Sequence, residues 1–326
     1  MNDDYLWDRS GKPDPEVERL ERLLGRYKHD APLKVVPFRR RWTRLALAAA
    51  LLVAIFGLGF FAVRFHWRSG AAWDIEQVAG MVTVDGDAIS QRGRFGVGDT
   101  LVTGPGSRVK VQVARVGELE IGPGSELELT ATSRNRHRLN LRRGTLHARI
   151  WAPPFVFAVR TPAGLASDIG CAFTLQYEGE RGLLKVTSGW VDFDGDTRSA
   201  LVPRGATSEL DRELGPGTPY WNDAPPALTE ALRAFDKHGR RADLDRVLVS
   251  ARPRDAMTVL HMLERSRREH RASLFDRLAQ LAPPPPGVTR EGVLDRDLRM
   301  INAWREKLGL GGVKKWWMQW RDALPD

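Results

Sequence analysis

Leu45 to Val63 reads LALAAALLVAIFGLGFFAV, nineteen residues without a charge. At 1.5 Å per residue, a helix of that length covers nearly the ~30 Å hydrocarbon core of a bilayer. Each large apolar side chain favours insertion by roughly 0.3–0.6 kcal/mol. A buried core helix is usually shorter and is not bracketed by charge clusters on both sides. A cleaved leader would start nearer the first residue and end in small residues. Here 44 residues precede the run, which closes on Phe60, Phe61, Ala62 and Val63. The segment 45–63 is therefore read as a retained transmembrane anchor. Leu45, Leu52, Phe56, Phe60 and Val63 are its anchoring residues, and Trp42 and Trp67 bracket it as interfacial residues do.

Flanking charge orients the anchor. Lys34, Arg39, Arg40, Arg41 and Arg44 lie on its N-terminal side, against Arg64 and Arg68 beyond it. That bias places the N-terminus in the cytoplasm and residues from about 73 onward outside it. The formal net charge of +9 would by itself suggest nucleic acid. Divided by the anchor it does not, because most of the basic residues fall on the far side from a genome. The first 44 residues hold eleven basic against eight acidic side chains, and their positive end sits where it meets anionic lipid. No nucleic-acid partner is expected; the lipid bilayer is.

Residues 1–44 form a short arm with one predicted helix. Asp14 suits an N-cap, Pro15 the first helical position, and Glu16 and Glu18 the positive end of the dipole. Val17, Leu20, Leu24 and Tyr27 fall on one face, and Glu18 and Arg22 are spaced for an i,i+4 pair. Tyr5, Leu6 and Trp7 form a small aromatic cluster upstream. An arm this short buries no core of its own. Tyr5, Leu6, Trp7, Val17, Leu20 and Leu24 are the candidate partner-binding residues, either in a groove of another protein or in a loosely ordered leader.

From about residue 74 to 214 the apolar period is two. Val109-Lys-Val-Gln-Val113, Phe155-Val-Phe-Ala-Val159 and Val191-Asp-Phe193 alternate, with Gly and Pro at short intervals. This is an all-β signature of many short strands. Two echoes recur inside it. Gly104-Pro-Gly-Ser107 returns eighteen residues later as Gly122-Pro-Gly-Ser125, and Leu141-Arg-Arg-Gly-Thr-Leu-His-Ala148 matches Val186-Thr-Ser-Gly-Trp-Val-Asp-Phe193. They imply a stacked, solenoid-like arrangement or a sandwich of similar hairpins.

Six segments in order resemble the FecR domain of bacterial sigma-factor regulators. They are Gly98-Asp-Thr-Leu-Val-Thr-Gly-Pro-Gly-Ser-Arg-Val109, Ile121-Gly-Pro-Gly-Ser-Glu-Leu127, Leu141-Arg-Arg-Gly-Thr-Leu146, Phe157-Ala-Val-Arg-Thr-Pro-Ala163, Asp168-Ile-Gly-Cys-Ala-Phe173 and Val186-Thr-Ser-Gly-Trp-Val191. The resemblance implies a single-pass protein of the bacterial inner membrane. A cytoplasmic arm would bind an extracytoplasmic-function sigma factor, and a periplasmic β domain would receive a signal. The arm is shorter than a full sigma-binding domain and matches no known sigma-binding motif. The rival expectation is a non-signalling envelope protein whose β or helical domain binds cell-wall polymer or another envelope protein.

Cys171, the single cysteine, stands where the resembled family has Thr after Gly. It reads as a small buried strand residue. The sharper reading is a cleavage site at Gly170–Cys171, since a strained bond before a thiol can undergo an acyl shift.

Pro216, Pro219, Pro225 and Pro226 mark a linker over 215–227. Helical spacing then returns over 228–326, in helices near 228–235, 244–248, 256–264, 274–281 and 295–308. Arg265, Arg267, Arg268 and Arg271 read as a solvated helix face. Trp316, Trp317 and Trp320 read as core or docking surface. His261 and Glu264, three apart on a helix, read as structural. There is no phosphate-binding Gly loop, HExxH or GxSxG. The histidines lack metal-ligand spacing, so no enzyme activity, metal or cofactor is expected.

Overall fold

The computed structural model describes residues 12, 14–27, 51 and 70–310. It divides into two units, Met1–Phe60 and Phe61–Asp326. The anchor residues Trp42, Leu45, Leu52, Phe56, Phe60, Val63 and Trp67, the cluster Tyr5-Leu6-Trp7, and Trp316, Trp317 and Trp320 all lie outside the described residues. Among the described residues no helix is long and apolar enough to cross a membrane.

In the first unit, α1 spans Pro15–Leu24 and a 3-10 turn follows over Gly25–Tyr27. The start is set by capping. Asp14 Oδ1 accepts from the Glu16 N–H at 2.9 Å, which satisfies one of the orphan donors of the first turn. Arg22 reaches Glu18 one turn back at 3.5 Å.

The second unit begins with β1 (Trp73–Ala79), β2 (Val82–Val84), β3 (Asp87–Ile89), β4 (Gly93–Phe95), β5 (Thr100–Thr103) and β6 (Arg108–Val113). It continues with β7 (Gly117–Ile121), β8 (Glu126–Ser133), β9 (Arg136–Ile150), β10 (Phe157–Thr161), β11 (Gly164–Asp168) and β12 (Ala172–Glu178). The last strands are β13 (Arg181–Ser188), β14 (Trp190–Asp194), β15 (Ser199–Pro203), β16 (Ala206–Asp211), β17 (Gly215–Pro216) and β18 (Tyr220–Trp221).

These strands make two layers. The first runs β4–β1–β6–β7–β9–β12–β13–β16, antiparallel throughout. The second runs β3–β2–β5–β8–β9–β10–β11–β14–β15, with β9 and β10 parallel. β9 serves both: residues 136–143 pair with β8 and residues 144–150 with β7 and β12. Inward-facing Val109, Val111, Leu119, Ile121, Leu127, Leu139, Leu141 and Leu146 are at most 1% exposed and fill the interior. Each such side chain contributes roughly 1.5–3 kcal/mol.

The layers are joined by bends, and the repeated sequence motifs are those bends. Gly80–Met81, Gly104–Ser107, Gly122–Ser125 and Gly144 lie side by side along one edge, because Ala79 pairs with Arg108, Val109 with Ile121, and Ile121 with Leu146. Ile169–Cys171, Gly189 and Arg204–Gly205 line the other edge, where Ala172 pairs with Ser188 and the Arg204 N–H donates to Gly189 O at 2.9 Å. The two expectations left open by the sequence therefore meet in one object. It is a nearly closed, flattened sheet whose corners stack as in a solenoid.

The C-terminal helices are α2 (Pro226–His238), α3 (Arg241–Ser250), α4 (Ala256–Arg265), α5 (Arg268–Leu281), α6 (Arg290–Leu294) and α7 (Leu298–Lys307). α4 is central, since every residue from Ala256 to Leu263 is buried. The segment 215–227, read as a linker, contributes β17 and β18 to the edge beside β16. Proline is tolerated there because an edge strand needs fewer donors. Helices and sheet are tied together. Trp221 Nε1 donates to Arg254 O at 2.7 Å, and Thr258 Oγ1 to Pro219 O at 2.9 Å. The basic run is not one solvated face. The helix breaks at Ser266, Arg265 donates to the carbonyls of Pro216 and Ser199, and Arg271 to those of Ser266 and Leu294. His261 is buried and its Nδ1 lies 2.9 Å from the Met257 carbonyl one turn back.

Candidate functional site

The expected partner face of the arm is exposed. Leu20, Leu23 and Leu24 are 56%, 54% and 63% exposed, and Val17 is half-buried. No residue of α1 is buried.

The chain enters the β domain through a buried lock. Trp73 is fully buried, packs edge-on to Phe95, and donates from Nε1 to Thr132 Oγ1 at 3.0 Å. That hydroxyl lies 2.9 Å from His137 Nδ1, and the Gly70 N–H donates to Thr132 O at 2.9 Å. His137 is fully buried; burial first, then the nearby Arg138 guanidinium, pushes its pKa down to about 4. It is therefore neutral at neutral pH.

Gly170 and Cys171 occupy a corner of the second edge. The thiol is 1% exposed and donates to Asp168 Oδ1 at 2.5 Å. Oδ1 also accepts the Cys171 N–H at 2.9 Å, and Oδ2 the Gly170 N–H at 3.1 Å. Asp168 is fully buried. Burial pushes its pKa up to about 7, against the pull of the Cys171 thiol and the two N–H donors. Burial and the neighbouring carboxylate push the thiol up as well. Asp168 heads one of the resembling segments but is given no role there, although its spacing is the signal: an acid three residues before Cys171 closes a tight turn onto the Gly170 and Cys171 N–H groups.

A groove of about 530 Å³ crosses the outer face of the first layer over β6, β7, β9 and β12. Its charges neutralise one another. Glu118 takes Lys110 at 2.8 Å and Arg149 at 3.5 Å, while His147 Nδ1 lies 2.8 Å from Thr174 Oγ1. Among the described residues no group of three His, Cys, Asp or Glu is placed to hold a metal ion.

Residues 99–192 match the FecR protein family. The chain thus carries a FecR domain, whose matched span runs from β5 to β14, with β1–β4 before it and β15–β18 after it. Two solved structures of a "putative anti-sigma factor" from Parabacteroides distasonis are similar at 16% identity and a TM-score of 0.34 each. The matches cover 40% and 45% of this chain and 63% and 73% of theirs, so this chain spans less than two thirds of the first. No curated protein matches the chain.

Proposed function

We propose that the protein is a single-pass regulator of the bacterial inner membrane that controls an extracytoplasmic-function sigma factor. Residues 1–44 are its cytoplasmic arm, 45–63 its span, and the FecR domain and helices its periplasmic part. The FecR match over residues 99–192 carries the regulatory reading. The uncharged segment 45–63 and the basic cluster before it support the topology. The open Leu20, Leu23 and Leu24 face of α1 supports a protein partner for the arm.

A signal outside reaches the arm only if it changes a state that the span can report. The Trp73–Thr132–His137 lock is the point where that change would leave the β domain. Cleavage at Gly170–Cys171 is a finer part of the proposal. Cys171 Sγ would attack the Gly170 carbonyl carbon, break the C–N bond, pass its proton to the freed amine, and leave a thioester for water. Asp168 holds the thiol beside a base, whereas burial keeps the thiol protonated.

Phosphatase fusions test the topology. Fusions after residue 70 are expected to be active and fusions before residue 44 inactive; the reverse order would overturn the orientation, and inactive fusions on both sides would end the membrane reading. A denaturing gel tests the cleavage. Two fragments from the wild type and none from Cys171→Ala are expected, and full-length chains from both would end it.

A further inference from the structure

Where the second layer meets the helices lies a cavity of about 220 Å³ between the end of α2, the end of α4 and the start of α5. Its lining is strongly unbalanced in charge. Arg198, Lys237, Arg265 and Arg267 line it, with Asp236 as the one acid. Asp236 is already occupied: it accepts from the Thr218 N–H at 2.6 Å and from Thr218 Oγ1 at 2.8 Å, with Arg198 at 3.9 Å. Arg265 is half-buried, and among the described residues its guanidinium donates to the backbone carbonyls of Pro216 and Ser199. Its pKa is lowered, by burial first and further by Arg198, despite the opposing pull of Asp236. Lys237 and Arg267 stand exposed at the rim and make no ion pair among the described residues.

Two further groups point to the same chemistry. α5 is a fourteen-residue helix whose N-cap Arg267 makes no side-chain cap hydrogen bond, so the first-turn N–H groups open beside the cavity; the one acid of that turn, Glu269, is exposed and lies 3.5 Å from His270 Nε2. His270, in its first turn, is 7% exposed, lines the cavity, and has an Nδ1 atom with no hydrogen-bond partner among the described residues. A buried polar group is normally paired, and gathered cations repel unless an anion joins them.

We propose that this cavity binds a phosphate group, either as the free ion or as the phosphomonoester of a small molecule. A tetrahedral dianion would face Arg198 and Arg265 on one side and Arg267, the α5 N-terminus and His270 on the other. With a water occupying about 30 Å³ of liquid, 220 Å³ leaves room for a small substituent. The proposal is independent of the membrane topology and of the sigma factor, because it rests only on residues 198–270.

The test is calorimetric titration of the full-length protein with inorganic phosphate in dilute chloride buffer. Saturable binding at one site is expected, weakened at least tenfold in the double variant Lys237→Gln/Arg267→Gln, which alters only rim residues. Arg142→Gln, which removes a charge from the sheet face, should leave it unchanged. A hexose phosphate that binds more tightly than phosphate assigns the site to a phosphomonoester; equal affinity assigns it to the free ion. No saturation in the wild type, or equal affinity in the wild type and the double variant, would overturn the proposal. So would an equal loss in Arg142→Gln, since that would reduce the effect to general surface charge.

Discussion

The two edges of the β domain solve one problem with different chemistry. Both must turn strands from one layer into the other without stranding backbone N–H groups. The first edge uses neutral hydroxyls. The Met81 N–H donates to Ser107 Oγ at 2.9 Å, and the Thr145 N–H to Ser125 Oγ at 3.0 Å, while Ser125 Oγ donates to Gly122 O at 2.8 Å. The second edge uses a buried acid, with Asp168 taking the Gly170 and Cys171 N–H groups and the thiol. The first solution does not titrate. The second does, so any pH or redox sensitivity at the corners belongs to the edge that carries Cys171.

Substitutions at the corners put this contrast at risk in descending order of effect. Gly144 has φ +103°, and a Cβ there would collide with Ser125. Gly144→Val is expected to cost about 3 kcal/mol or more in urea unfolding, from backbone strain and loss of corner contact together. A cost below 1 kcal/mol would mean that the first edge is not a close-packed stack. Ser125→Ala strands the Thr145 N–H and is expected to cost about 2 kcal/mol, with no dependence on pH between 5 and 8.

Asp168→Asn probes the other edge through pH. The folded acid holds its proton to about pH 7, whereas an unfolded one releases it near 3.8. Between those values the native state binds more protons, so stability falls as pH rises and levels off above about 7. The Asp168 contribution is at most about 1.4 kcal/mol per pH unit and should be lost in Asp168→Asn, leaving a profile that rises with pH below about 6.5. His137 acts oppositely. Its pKa, lowered from 6.5 to about 4, makes stability rise with pH across that window. A slope unchanged by Asp168→Asn would show that the acid does not titrate on folding. The smallest effect is expected from Cys171→Ser, which keeps a donor for Asp168 and should change stability by less than about 1 kcal/mol. Cys171→Val has no donor and should cost more.

Much of this was legible in the residues. The Gly104-Pro-Gly-Ser107 and Gly122-Pro-Gly-Ser125 echo marked two adjacent corners, and the match of Leu141–Ala148 to Val186–Phe193 marked the corners at Gly144 and Gly189. β9 held a signal that alternation alone conceals. Its buried positions are odd-numbered at His137, Leu139 and Leu141 and even-numbered at Leu146, Ala148 and Ile150. The phase slips at Gly144, where the strand changes layers. The helices after Pro226 followed from their 3.6-residue spacing, although α6 was too short to read. The phosphate cavity was not legible, because Arg198, Asp236 and Arg265 meet only through the docking of α2 and α4 on the second layer.

In the proposed regulator the arm holds a sigma factor while the FecR domain reports from beyond the membrane. Co-purification of the full-length protein with its candidate sigma factor tests this most directly, comparing the wild type with Leu20→Asp/Leu24→Asp. Those side chains are exposed, so the double variant should keep its fold. Capture by the wild type and at least tenfold less by the variant is the predicted result. No sigma factor with either chain, or equal recovery with both, would contradict the account.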